Sequence, residues 1–165
     1  QVHPVYESFT KKYGTPLEFL KDKNPNVLTH LGLRWREATL RKLAEAIVHK
    51  DIPGEKDELL KLPGIGDYIS AAYRSLHLGV RDVIIDSNIV RLYGRYFGFP
   101  TDGETRRKKW FILLADRITP EKHFKEFNYA LIDFTRTICK PKPIHEDCIL
   151  REQCSLYKET KNVNC

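Results

Sequence analysis

An aspartate behind three β-branched apolar residues, Val83-Ile84-Ile85-Asp86, is the first place in this chain where chemistry is conceivable. Such neighbours limit the solvation of a carboxylate and favour a raised pKa. A carboxylate in that setting can stabilise positive charge growing on a sugar, or position and activate a water molecule. It can also do something plainer. A helix is expected from Asn88, and an aspartate just before a helix caps its free amides. The residues alone leave both roles open.

Upstream stands Leu62-Pro63-Gly64-Ile65-Gly66. Glycine accepts positive φ and lets a partner approach the backbone closely. A helix that follows begins with unpaired N–H groups and a partial positive charge. Together these offer several donors to a phosphate oxygen without a basic side chain, with Ile65 pointing inward as anchor. A tight helix–helix turn with no ligand would use the same residues. Tyr68 follows at once, either shaping a site or filling the core.

Four cysteines, Cys139, Cys148, Cys154 and Cys165, all fall in the last 27 residues. A disulfide scaffold spreads its bridges through a small secreted chain. Clustering behind a cysteine-free body reads instead as a metal or cluster loop in a reducing, cytoplasmic setting.

These groups need elements to hold them. With 165 residues, 41% hydrophobic and 30% charged, the chain can bury a core as one domain or two small lobes. No run approaches the roughly 18 apolar residues of a membrane span, and no secretory signal pattern opens the chain. A formal charge of +6 favours a polyanionic partner. The absence of methionine, even at position 1, suggests a start downstream of the natural one.

Periodicity predicts an all-α chain. Val5, Phe9 and Tyr13 recur on one helical face. Thr15 and Pro16 open a short helix to Leu20, Asn24-Pro25-Asn26 restarts the chain, and Gly32 ends the next helix. Residues 35–49 form a longer helix with Leu40, Leu43, Ala44 and Ile47 on one side. Helices at 57–62 and 67–78 flank the hairpin. Val83-Ile84-Ile85 has strand-like composition but stands alone among helices, so a buried turn or helix entry is expected. Helices at 88–97 (Ile89, Leu92, Tyr93 and Tyr96 inward), 110–118 and 124–138 complete a body of residues 1–138, with 139–165 as a cysteine-rich loop.

The run Leu62-Pro63-Gly64-Ile65-Gly66-Asp67-Tyr68, then Ala71-Ala72, then Ile85-Asp86-Ser87-Asn88-Ile89-Val90-Arg91 resembles the signature of the helix-hairpin-helix DNA glycosylases. Phe127-Asn128-Tyr129-Ala130-Leu131-Ile132-Asp133-Phe134 is similar to the family helix before its iron–sulfur loop. The likeness is co-linear from about Val2 to Cys154, strongest toward the branch acting on T·G mismatches. It implies a two-lobed helical fold with the hairpin at about 57–79, lacking the family's first helices.

The resemblance also implies a reaction. A mispaired base is flipped from duplex DNA and its N-glycosidic bond hydrolysed, with Asp86 as catalytic carboxylate. The bifunctional endonuclease III branch carries at the Tyr68 position a lysine that can form a Schiff base. A phenol cannot, so Tyr68 implies a monofunctional enzyme that leaves an abasic site, releasing thymine or uracil opposite guanine. Adenine removal from A·G or A·8-oxoguanine pairs is the alternative, and a non-catalytic DNA-binding module a second. DNA contacts are expected at Leu62, Gly64, Ile65, Gly66, Arg34, Arg36, Lys140 and Lys142. Trp35 between the two arginines would be either at the DNA or buried. The expected partner is double-stranded DNA holding a mispaired or damaged base, bound by a monomer away from membranes.

The family loop, Cys-x6-Cys-x2-Cys-x5-Cys, holds a [4Fe–4S] cluster. Cys148 and Cys154 reproduce the last pair and Cys139 the first member, but the second cysteine is missing. Cys165 or His145 could supply the fourth ligand, the cluster could be lost, or zinc could take a Cys and His set.

Overall fold

The computed structural model describes residues 2–30 and 32–163, and among these there is no strand. Contacts divide the chain into two compact units, Gln1–Gly66 and Asp67–Cys165.

In the first unit, α1 (Val2–Lys12), α2 (Pro16–Lys21) and α3 (Asn26–His30) precede a 3-10 turn at Arg34–Arg36, then α4 (Glu37–Ile47) and α5 (Lys56–Leu60). The four-residue apolar spacing of α1 brings Phe9 and Tyr13 against Phe19 of α2. Their ring centroids lie between 5.1 and 5.4 Å apart, edge-on or tilted as ring quadrupoles prefer. The side chain of Val5, expected on that face, lies outside the described residues. Thr15 caps α2 by accepting from the Glu18 amide at 3.3 Å, and Glu18 accepts in return from the Gly14 amide at 2.7 Å. This reciprocal pair, with Pro16 in the first turn, starts the helix where the sequence implies. Leu28 and Ala44 complete the core, with Leu40 packed on it.

In the second unit, α6 (Asp67–Ala72) runs on through wider π-type turns at Tyr73–Leu78 and ends at Gly79. After residues 79–86 come α7 (Ser87–Phe97), a 3-10 turn at Thr105–Arg107, α8 (Lys109–Ile118) and α9 (Phe124–Thr137). A 3-10 turn at Arg151–Gln153 leads to α10 (Ser155–Val163), a helix inside the stretch expected as a cysteine-rich loop. The core joins Ala71, Ile84, Ile89, Val90, Leu92, Tyr93, Phe111, Ala115 and Cys139. Burying each large apolar member contributes roughly 1.5–3 kcal/mol.

Residues 83–85 form the expected helix entry rather than a turn: Ile84 is only 1% exposed, and the segment leads directly to the α7 cap. The loop is clamped at its near end. Arg74 Nε donates to Asp82 Oδ2 at 2.9 Å, and Asn128 Nδ2 of α9 donates to the Asp82 carbonyl at 3.1 Å. Buried charge is tolerable here because it is paired and hydrogen-bonded.

Candidate active site

Asp86 sits half-buried at the N-cap of α7, in extended backbone conformation. Its Oδ1 accepts from the Asn88 amide at 2.9 Å and the Ile89 amide at 2.8 Å. Its Oδ2 accepts from Asn88 Nδ2 at 2.6 Å. The capping role weighed from the sequence is therefore present, worth about 1 kcal/mol to the helix. The three donors hold the carboxylate in a single orientation.

Asn88 is itself held. Arg91 Nη1 donates to Asn88 Oδ1 at 2.8 Å, and Arg91 Nη2 donates to the carbonyls of Thr135 at 3.1 Å and Cys139 at 2.8 Å. A continuous hydrogen-bonded path thus runs from Asp86 through Asn88 and Arg91 to the end of α9 and the first cysteine. Neither Asn88 nor Arg91 is marked for this task by its residue type alone; their three-residue spacing on a helix places them on one face.

Tyr68 lies in the first turn of α6 and remains 41% exposed. Partial burial raises its pKa, and the negative charge of Asp86 raises it further. The phenol is therefore neutral at ordinary pH, within electrostatic reach of the carboxylate. The structure brings these two candidates together.

The hairpin that ends the first unit is closed by Ile65 N donating to the Leu62 carbonyl at 3.1 Å, with Leu62 and Ile65 half-buried. Its two glycines are there for different reasons. Gly64 has φ +79°, and a Cβ on it would stand 2.4 Å from Thr39 Cγ2 of α4. Gly66 has no such constraint: a Cβ there would meet nothing within 4 Å. Its backbone faces open space.

Arg34 and Arg36 are exposed on the 3-10 turn, and the Arg36 guanidinium lies 4.5 Å from the Trp35 ring centroid. Trp35 is 73% exposed, which removes the option of a buried tryptophan at this point. In the second unit, Lys142 is exposed, while the Lys140 carbonyl accepts from Arg95 Nη1 at 2.6 Å.

Cys139, Cys148, Cys154 and His145 all line one cavity of the second unit. Arg95 Nη1 donates to Cys139 Sγ at 3.6 Å, and the Cys154 thiol donates to the Arg95 carbonyl at 3.4 Å. Among the described residues, no three His, Cys, Asp or Glu side chains are drawn together so as to hold a single metal ion. Cys165 lies outside the described residues.

A hairpin with an approachable backbone, followed in sequence by a capped carboxylate and a cysteine loop, defines a helix-hairpin-helix DNA glycosylase, and the chain belongs to that superfamily. Within it, the chain is 31% identical to the thymine/uracil-DNA glycosylase of Methanothermobacter thermautotrophicus, over 96% of this chain and 75% of that protein. An adenine DNA glycosylase of Buchnera aphidicola is 31% identical over 99% of this chain but only 49% of its own length. The structure of a thermostable thymine-DNA glycosylase superposes with a TM-score of 0.84, at 31% identity, covering 96% of this chain and 76% of that one. A DNA-trapped endonuclease III, at 24% identity, matches in fold with a TM-score of 0.81 over 97% of this chain and 78% of that one. No family model matches the chain.

Proposed function

We propose that this DNA glycosylase of base excision repair is monofunctional and releases thymine or uracil mispaired with guanine. The observation that carries the reading is the pairing of Tyr68 and Asp86. The carboxylate is oriented by three donors, and a phenol that feels its charge remains accessible.

Breaking the N-glycosidic bond leaves positive charge on the deoxyribose. An aspartate fixed in orientation stabilises that charge without reorganising, and can align the attacking water. Tyr68 is neutral and carries no amine, so it offers no Schiff base and no route to strand cleavage. Its exposed face can instead border the extruded nucleotide. Gly64 and Gly66 would present backbone N–H groups to a phosphate, while Arg34, Arg36, Lys140 and Lys142 would each meet phosphates of the duplex. Cys139, Cys148 and Cys154 would hold an iron–sulfur cluster whose contribution is to order the cysteine loop.

Release of labelled base from defined T·G, U·G and A·G duplexes tests the substrate. Thymine or uracil is the expected product, and adenine alone would sink this choice. Asp86→Asn tests the mechanism. It preserves the cap and the DNA affinity, and base release should fall at least about 100-fold. Release at the parent rate would remove Asp86 from the chemistry, whereas no base released from any of these duplexes by the parent would leave a DNA-binding module as the better description.

A further inference from the structure

Cys148 and Cys154 keep the last spacing of the family loop, and the residue three before Cys148, in the register of the missing second cysteine, is His145. One residue fewer separates it from Cys139 than in the family's first gap. The main chain folds to suit this shorter gap. Ile144 N donates to the Ile138 carbonyl at 3.0 Å, and Cys148 N donates to the His145 carbonyl at 3.2 Å, placing His145 and Cys148 on one turn. The imidazole is stacked on Tyr157 of α10 with ring centroids 5.2 Å apart, which fixes its plane. His145 shares its cavity with three cysteines that carry free thiols, and the remaining wall is largely apolar, including Leu92, Phe134, Ile138 and Leu156.

The cavity that these four side chains line has about 370 Å³ of empty space and is open to solvent. Three thiols and an imidazole are a donor set that an iron–sulfur cluster accepts.

We propose that His145 is the fourth ligand of an iron–sulfur cluster otherwise held by Cys139, Cys148 and Cys154. The assignment rests on the cluster reading given above. Imidazole for thiolate makes the cluster less negative, so its reduction potential should stand above that of an all-cysteine version.

The test uses the full chain purified without oxygen. Wild type is expected to hold about four iron and four sulfide per chain. With ¹⁵N-labelled histidine, and the cluster reduced by one electron with dithionite to its paramagnetic state, a strongly coupled imidazole nitrogen should appear, absent from both His145→Cys and His145→Ala. His145→Cys should keep the iron at a lower potential, His145→Ala should lose at least one iron, and Cys165→Ser should match wild type. A cluster with no nitrogen coupling overturns the assignment while the cluster reading stands. So does one lost in Cys165→Ser and kept in His145→Ala. Iron-free protein, or one zinc per chain, overturns the cluster reading and this assignment with it.

Discussion

Asp86 commits both carboxylate oxygens to its own chain, Oδ1 to two amides of α7 and Oδ2 to the Asn88 side chain. Asn88 in turn is oriented by Arg91, which is anchored on carbonyls of Thr135 and Cys139. Hydrogen bonds to charged groups are worth about 1.5–3 kcal/mol. Asn88→Ala should therefore lower the single-turnover rate of base release about 10- to 100-fold, with DNA affinity little changed. Arg91→Ala should do the same and also lower the melting temperature, because it frees two carbonyl contacts. Equal losses in affinity and rate would mean that the path shapes the DNA surface and leaves the carboxylate alone. The candidate carboxylate could be picked out in the sequence because an apolar frame around one aspartate is a local pattern. Its supports were less visible there. Arg91 acts on Thr135 and Cys139, which are distant in sequence, and no spacing announces such a contact.

At the scale of elements, the two hairpin glycines separate folding from binding. Gly64→Ala meets a left-handed backbone and the Thr39 methyl, so it should cost roughly 1–3 kcal/mol in chemical denaturation. Gly66→Ala meets neither and should unfold like the parent. A methyl there would occupy the space a phosphate needs, and DNA affinity should drop several-fold. Unchanged affinity in Gly66→Ala would remove this backbone from the DNA contact. The glycine pattern was readable as a turn, but the division of labour depends on α4 passing behind only one of the two. Helix α10 shows the same limit. Its stretch is polar, and what ties it down is packing on distant residues, such as Ser155 Oγ donating to the Tyr96 carbonyl at 3.1 Å.

For the whole molecule, charge and burial set the working range of pH and salt. Burial pushes the Tyr93 phenol up to about 12, from an ordinary value near 10. The folded state then holds this proton more tightly than the unfolded state. The resulting stability is complete below pH 10 and is lost as pH rises toward 12. Tyr93→Phe should flatten that alkaline decline in denaturation measured between pH 9 and 12; an unaltered slope would place its cause elsewhere. At the acid end, Lys12, Tyr13 and the Asn24 amide hold Asp22 down at about 2. Its contribution is present above the unfolded carboxylate pKa of 3.8 and is lost as pH falls from there through about 2. The formal charge of +6 should make DNA binding weaken steeply between 50 and 200 mM salt.

The sequence by itself determined the helical class, the hairpin, the position of the carboxylate and the superfamily. Each is written in residues close together: a 3.6-residue apolar period, a glycine pair, an aspartate before a helix. Tertiary structure alone decided that Asp86 is held by a path reaching Cys139, that Trp35 is exposed, and that His145 shares a cavity with three cysteines. Those facts depend on which side chains a folded chain brings within a few ångströms, and that distance is not encoded by any local spacing.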